Sequence, residues 1–392
     1  MAPAPRTAGT RLRPAERRRQ LVDVATELFL EQGYGKVSVA DIARAAGISG
    51  PSVYRHFPDK EAILAAAMRS AVDEMGETTA RVLARPGATF EDLSSAVFAM
   101  AVSRPGPLAL WRWNRRHLTA EQAREMIAAS EGVLRSWTAV LRRDHPELTD
   151  DDARVLTWAV LAVGGSVPPS RGRIGIRRYR ADLEVIARRV LRAAPSTAPG
   201  LPAPPPRRAP VLRSDEILDA ASELFFSRGY SAVSMDDIGA AVGISGPSVY
   251  GHFPSKGSIL VGIVARARAA LEIGVVGAAG VADGDPRAEL RALVRSYAAN
   301  LVSSTDLAVA FTVGREVVIE SGGEALLAAQ KAYVARWVAL LAAGSDIDPA
   351  GARIAVGAAM TIANDFARTR RLRGRPRFHD ELVHLVDAAL GL

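Results

Sequence analysis

The chain has 392 residues, 48% of them hydrophobic and 23% charged, with a formal net charge of +8. That length and apolar content exclude a wholly disordered chain and predict two or three domains, and the lack of cysteine with only six scattered histidines leaves no disulfide, thiolate or zinc-ligand chemistry. The basic excess fits a polyanionic partner without requiring one.

The opening MAPAPRTAGTRLRPAERRRQ has no apolar signal-peptide core, and the longest apolar runs, such as VLTWAVLAVGGSV, fall short of a bilayer. A cytoplasmic chain without membrane contact is expected. Leu21, Val24, Ala25, Leu28 and Phe29 follow helical spacing, so an amphipathic first helix is predicted, ending at Gly33 in the left-handed position after a helix C-terminus. Ser38 with Asp41 three residues on is a capping-box pattern that starts a second, brief helix reaching Gly47. GIS then supplies a tight turn, with Gly47 at positive φ and Ser49 as the cap of a third helix that begins Gly50, Pro51, Ser52. Val53 and Phe57, four apart, face inward, and Pro58 stops the helix.

Two helices joined by a short glycine turn form a helix-turn-helix, whose second member enters the major groove of DNA with its leading residues at the base edges. The outer face of that member carries Gly50, Pro51, Ser52, Arg55 and His56. Small residues permit close approach, serine can bond a base or phosphate, and arginine pairs with guanine. Lys60, after Asp59, opens a fourth helix where an ammonium and free N–H groups suit a phosphate. A purely structural helix corner would have no need of tyrosine, histidine and lysine outside the core.

The segment beginning GISGPSVYRHFPDK at Gly47 returns as GISGPSVYGHFPSK at Gly243, and roughly six positions in ten agree without a gap between Asp23–Leu64 and Asp219–Leu260. A period of about 200 residues is far beyond any solenoid unit, so a whole domain set is duplicated. The predicted organisation is a basic arm and first DNA-binding domain over 1–64, a helical domain over 65–193, a linker over 194–210, a second DNA-binding domain over 211–260 and a second helical domain over 261–392. The linker APSTAPGLPAPPPRRAP favours extended polyproline conformation, and its reach is on the order of 50 Å.

SVADIARAAGISGPSVYRHFPDKEAIL resembles the DNA-binding domain of the TetR family of bacterial transcription factors, and SMDDIGAAVGISGPSVYGHFPSKGSIL resembles a second one. The resemblance implies an all-α fold with two TetR-like units, each a three-helix DNA-binding domain followed by a helical effector and dimerisation domain. It places Gly50, Pro51, Ser52 and Arg55 toward bases and Ser38, Tyr54, His56 and Lys60 toward phosphates. Ser234, Gly246, Pro247, Ser248, Tyr250, His252 and Lys256 repeat the set. In that family the last two helices pair two subunits, so one fused chain is expected to form an intramolecular pseudo-dimer on a double-stranded operator, its heads about 34–36 Å apart. A dimer of fused chains with four heads is the rival arrangement.

The copies differ. Gly251 replaces Arg55, Asp236 replaces Ala40, and the second arm is less basic, so the second head is expected to grip DNA more weakly, giving unequal half-sites or, in the extreme, a vestigial head. In the helical domains, Trp111, Trp113 and Arg115 with Trp137, and Arg315 with Tyr333 and Trp337, are candidates to line a pocket for an apolar or acyl-type effector with an anionic head. Aromatics at such spacing more commonly fill a core. No nucleotide, metalloprotease or nucleophile-elbow motif occurs, so neither enzyme, cofactor nor metal is expected. The reading is a ligand-released transcriptional repressor, with a sequence-neutral architectural DNA binder as the alternative.

Overall fold

The computed structural model describes residues 13–114, 118–169, 172–204, 210–312 and 315–392, and every regular element among the described residues is helical. In chain order the first half contains α1 (Pro14–Gln32), α2 (Val39–Ala45), α3 (Gly50–Tyr54), α4 (Lys60–Leu83), α5 (Phe90–Ser103), α6 (Pro105–Asn114), α7 (Ala120–Asp144), α8 (Asp150–Gly164) and α9 (Ile176–Leu191). The second half contains α10 (Arg213–Arg228), α11 (Met235–Ala241), α12 (Gly246–Tyr250), α13 (Lys256–Ala282), α14 (Pro286–Ser303), α15 (Asp306–Thr312), α16 (Arg315–Glu320), α17 (Glu324–Ala343), α18 (Pro349–Arg368), α19 (Arg370–Arg373) and α20 (Phe378–Leu390). They form two compact units, one of Met1–Glu74 with Gly106–Met126, the other of Met75–Pro105 with Ile127–Leu392.

The first unit is built around one apolar cluster. Leu21, Ala25 and Phe29 of α1 meet Ile42, Val53, Phe57, Leu64 and Met68, with Leu110 and Met126 closing it. Each large side chain buried here contributes roughly 1.5–3 kcal/mol. Gly33 ends α1 with φ 89° and ψ 146°, so the expected left-handed helical geometry is replaced by an extended one that glycine alone adopts readily, and its N–H still bonds the Phe29 carbonyl at 3.1 Å.

In the second unit, α10 to α13 repeat this arrangement around Ile217, Ala221, Phe225, Ile238, Val249 and Leu260. Farther along, α14, α17 and α18 enclose a fully buried Trp337 and Tyr297, whose rings meet edge-on with centroids 5.7 Å apart. The matching helices of the first half bury Trp137 against Phe90 at 5.5 Å, and its Nε1 donates to the Thr79 hydroxyl at 3.0 Å. Helix α17 is long and apolar enough to cross a bilayer by length and composition, which departs from the expectation that every apolar run is too short. It nevertheless carries Lys331 and Arg336 near its middle, and Arg336 is paired with Glu289.

Four helices, α8, α9, α18 and α20, pack on one another. Arg178, near the start of α9, bonds Asp348, the N-cap of α18, at 2.9 Å; Arg375, just before α20, bonds Asp151 at the start of α8 at 2.6 Å. The two links are thus reciprocal, each running from the later helix of one half to the earlier helix of the other. The proline-rich segment does not leave this bundle at once: Pro195–Thr197 forms a 3-10 turn, and the Ser196 N–H and hydroxyl donate to Asp152 at 2.9 and 2.6 Å.

Candidate nucleic-acid interface

In the first head the Ser38 hydroxyl accepts from the Asp41 N–H at 3.1 Å, and the Asp41 carboxylate accepts from the Ser38 N–H at 3.0 Å, so the capping box forms. The Ser38 hydroxyl, which donates to the carboxylate at 2.6 Å, and the Ser38 N–H, followed by Arg44 at 2.8 Å, hold the Asp41 carboxyl down at about 2. Gly47 turns the chain at φ 68°. Helix α3 then sets Val53 into the core and leaves Pro51, Tyr54 and Arg55 exposed, with Gly50, Ser52 and His56 beside them at the surface. Tyr54 is 58% exposed, which for a large apolar ring on a small domain marks a surface available to a partner.

Lys60 is placed differently from its expected phosphate-facing role. Its ammonium donates to the carbonyls of Tyr34 and Val37 at 2.9 and 3.0 Å and lies 4.2 Å from the Tyr34 ring centroid. Two of its three protons are therefore spent on the chain connecting α1 to α2. The Tyr34 hydroxyl in turn donates to Glu61 at 2.9 Å, and burial with that carboxylate pushes the phenol up. Lys256 repeats the arrangement, bonding Tyr230 and Val233 carbonyls at 3.0 and 2.8 Å, and burial lowers its pKa.

Sequence reasoning missed Arg18, which bonds the His56 carbonyl and stacks on Phe57 at 4.0 Å, fastening the arm-side helix to the end of α3. Lys36 and Arg44, both exposed, add cations to the same head. No local motif singles these out among many arginines.

The second head keeps the frame. Ser234 and Asp237 form the capping box at 3.0 and 2.8 Å, Gly243 turns at φ 71°, and Val249 is buried. Pro247, Ser248, Tyr250, Gly251 and His252 are exposed, whereas Gly246 is buried.

The expected ligand residues part company. Trp137 and Trp337 are wholly buried core residues, and Tyr333 stacks on Tyr297 at 6.1 Å, with burial raising both phenols. The side chains of Trp111, Trp113 and Arg315, and all of Arg115, lie outside the described residues. Two clefts among the described residues open elsewhere, one of about 340 Å³ beside Phe90, His145 and Arg188, another of about 390 Å³ beside Thr138, Arg142 and Arg154.

Comparison with known proteins decides the origin of the two heads. The model of the bacterial regulatory proteins of the tetR family matches twice, over residues 21–67 and 217–263. The chain carries two tandem segments that match the TetR family. Among curated proteins, the TetR-like chain is 30% identical over 129 residues to the HTH-type transcriptional repressor KstR2 of Rhodococcus jostii (strain RHA1), covering 32% of this chain and 63% of that protein. It is 36% identical over 84 residues to the HTH-type transcriptional regulator HbdR of Aromatoleum sp. (strain CIB), covering 21% and 37%. The chain thus spans less than two thirds of either relative. Solved TetR-family structures with which it aligns include PfmR from Thermus thermophilus, at 21% identity and a TM-score of 0.39 over 45% of this chain and 95% of that one. A tetR-family regulatory protein from Rhodococcus RHA1 gives 18% identity and a TM-score of 0.40 over 46% and 97%.

Proposed function

We propose that this TetR-family chain is a cytoplasmic, DNA-binding transcriptional regulator, a repressor released by a small effector. The observation that carries it is the outer face of α3, where Pro51, Tyr54 and Arg55 stand exposed over a buried Val53 after the capped α2 and the Gly47 turn. In this reading Gly50, Pro51, Ser52 and Arg55 meet base edges, with Arg55 suited to guanine. Ser38, Tyr54 and His56 meet phosphates, while Lys60 positions the connection beneath them. Ser234, Tyr250 and His252 stand at the matching phosphate-facing positions.

The reciprocal links of Arg178 with Asp348 and of Arg375 with Asp151 favour pairing of the two halves within one chain, because a two-fold interface repeats each contact with the roles exchanged. The domain limits 1–64, 65–193, 194–210, 211–260 and 261–392 belong to the same reading. The effector in this reading is an apolar or acyl-type molecule with an anionic head.

The test is selection of duplex DNA from a random pool by the full chain, with solution mass measured at the same concentration. A defined consensus and a mass near 41.6 kDa support both parts of the reading. Binding that falls steeply with salt and selects no sequence would instead mark a sequence-neutral architectural protein. Melting-temperature shifts against a panel of acyl-CoA compounds test the effector class.

A further inference from the structure

The two heads differ at the base of the recognition helix. In the first, the Ala43 methyl is buried beneath the turn, and a side chain added at Gly50 would meet nothing within 4 Å. In the second, Gly239 stands where Ala43 stands, and the main chain of the turn occupies the space a methyl would need: a Cβ at Gly239 would lie 2.8 Å from the Ile244 carbonyl oxygen and 3.0 Å from the Gly246 nitrogen. The turn and the first residue of α12 therefore pack directly on the backbone of α11. Above them lies Asp236, whose Oδ1 is 1.7 Å from the position a Gly246 Cβ would take. The first residue of α12 is thus buried under a carboxylate that is itself exposed.

Charge follows the same direction. The exposed Lys36, Arg44 and Arg55 of the first head are replaced by Ala232, Ala240 and Gly251, and the neutral Ala40 by Asp236. At the position of Arg55 no side chain remains to reach a guanine. At the position of Gly50 a carboxylate stands where a base edge or phosphate would approach, and like charge repels the phosphate backbone.

The geometry points to a second head that is closed to base reading, with Asp236 as the residue that keeps base edges from α12 and sequence read through α3 alone. This inference rests on the DNA-binding reading above. The polyanion contacts left to the second head are sequence-neutral ones through Ser234, Tyr250 and His252.

The experiment uses the full chain and the duplex it selects, analysed by hydroxyl-radical footprinting and by binding to that duplex with each half mutated. The expected result is one half-site with a defined sequence and firm protection. Arg55→Ala weakens binding about tenfold or more, and Ser248→Ala changes it by less than about twofold. The triple variant Gly239→Ala, Asp236→Ala, Gly251→Arg, on DNA carrying an inverted repeat of that half-site, gains about tenfold or more and a second protected patch. Two half-sites of comparable definition, with Ser248→Ala weakening one as Arg55→Ala weakens the other, overturns the inference and leaves the DNA-binding reading intact. Failure to select any sequence overturns that reading and this inference together. Should the triple variant not fold, the wild-type footprint with the two single variants still decides.

Discussion

The Lys60 ammonium spans the connection between the first two helices, donating to the Tyr34 carbonyl at 2.9 Å and lying 4.2 Å above the same residue's ring. Lys60→Met removes the ammonium donor from two half-buried carbonyls, which costs about 1–3 kcal/mol. Hydrogen exchange of amides 34–39 should accelerate accordingly. A lysine serving chiefly as a phosphate contact would leave exchange unchanged and lower the salt dependence of DNA binding by about one ion.

The two capping boxes give a pH dependence with a defined sign. Asp41 is held at about 2 by the Ser38 hydroxyl and N–H, so its folded pKa lies below the ordinary carboxylate value near 3.9. Its stabilising contribution is present above pH 4 and is lost as pH falls toward 2. Asp237 is lowered by Ser234 in the same way. Ser38→Ala or Ser234→Ala should cost about 1 kcal/mol at pH 7, seen as faster amide exchange in α2 or α11, and the difference should shrink as pH falls toward 2.

Asp387, on α20, runs the other way. Burial lifts its carboxyl to about 6 in spite of Arg287, Arg291 and Arg295, and its Oδ1 has no hydrogen-bond partner. A folded pKa above the unfolded one means that stability is highest below pH 4 and declines as pH rises through 6. Asp387→Asn should therefore stabilise the second unit at pH 7 by up to about 3 kcal/mol, with the gain shrinking below pH 6 and gone near pH 4. Denaturant melts at the three pH values check it.

Arg375 joins Asp151 at 2.6 Å and Glu381 at 2.5 Å with only 17% of its side chain exposed. Arg375→Met strands the Glu381 carboxylate, itself 9% exposed, and should cost about 3 kcal/mol. Adding Glu381→Gln should recover most of that loss. Failure of the double variant to recover would place the cost in the packing of the arginine stem.

What could be read from the sequence was local. The Ser38 and Asp41 box, the Gly47 turn and the inward Val53 and Phe57 all depend on residues within one turn of helix, and the repeat fixed them twice. Contacts between distant segments were not legible: the lysine bending back to Tyr34, Arg18 reaching His56, Tyr297 meeting Asn364 and the reciprocal arginine links need the chain to return on itself. That the group packed against Gly239 is the turn before α12 emerges only in the folded chain. Aromatic spacing around Trp137 and Trp337 fitted both pocket and core, and burial shows the core.

The crossed links Arg178 to Asp348 and Arg375 to Asp151 have both ends written in one reading frame. The pairs are therefore inherited together, and a change on one side can be answered on the other in the same lineage. A separately encoded subunit must instead match every sibling copy of itself. A fused chain is released from that demand, and the divergence between Ala40 and Asp236, or Arg55 and Gly251, is the kind of drift such release permits.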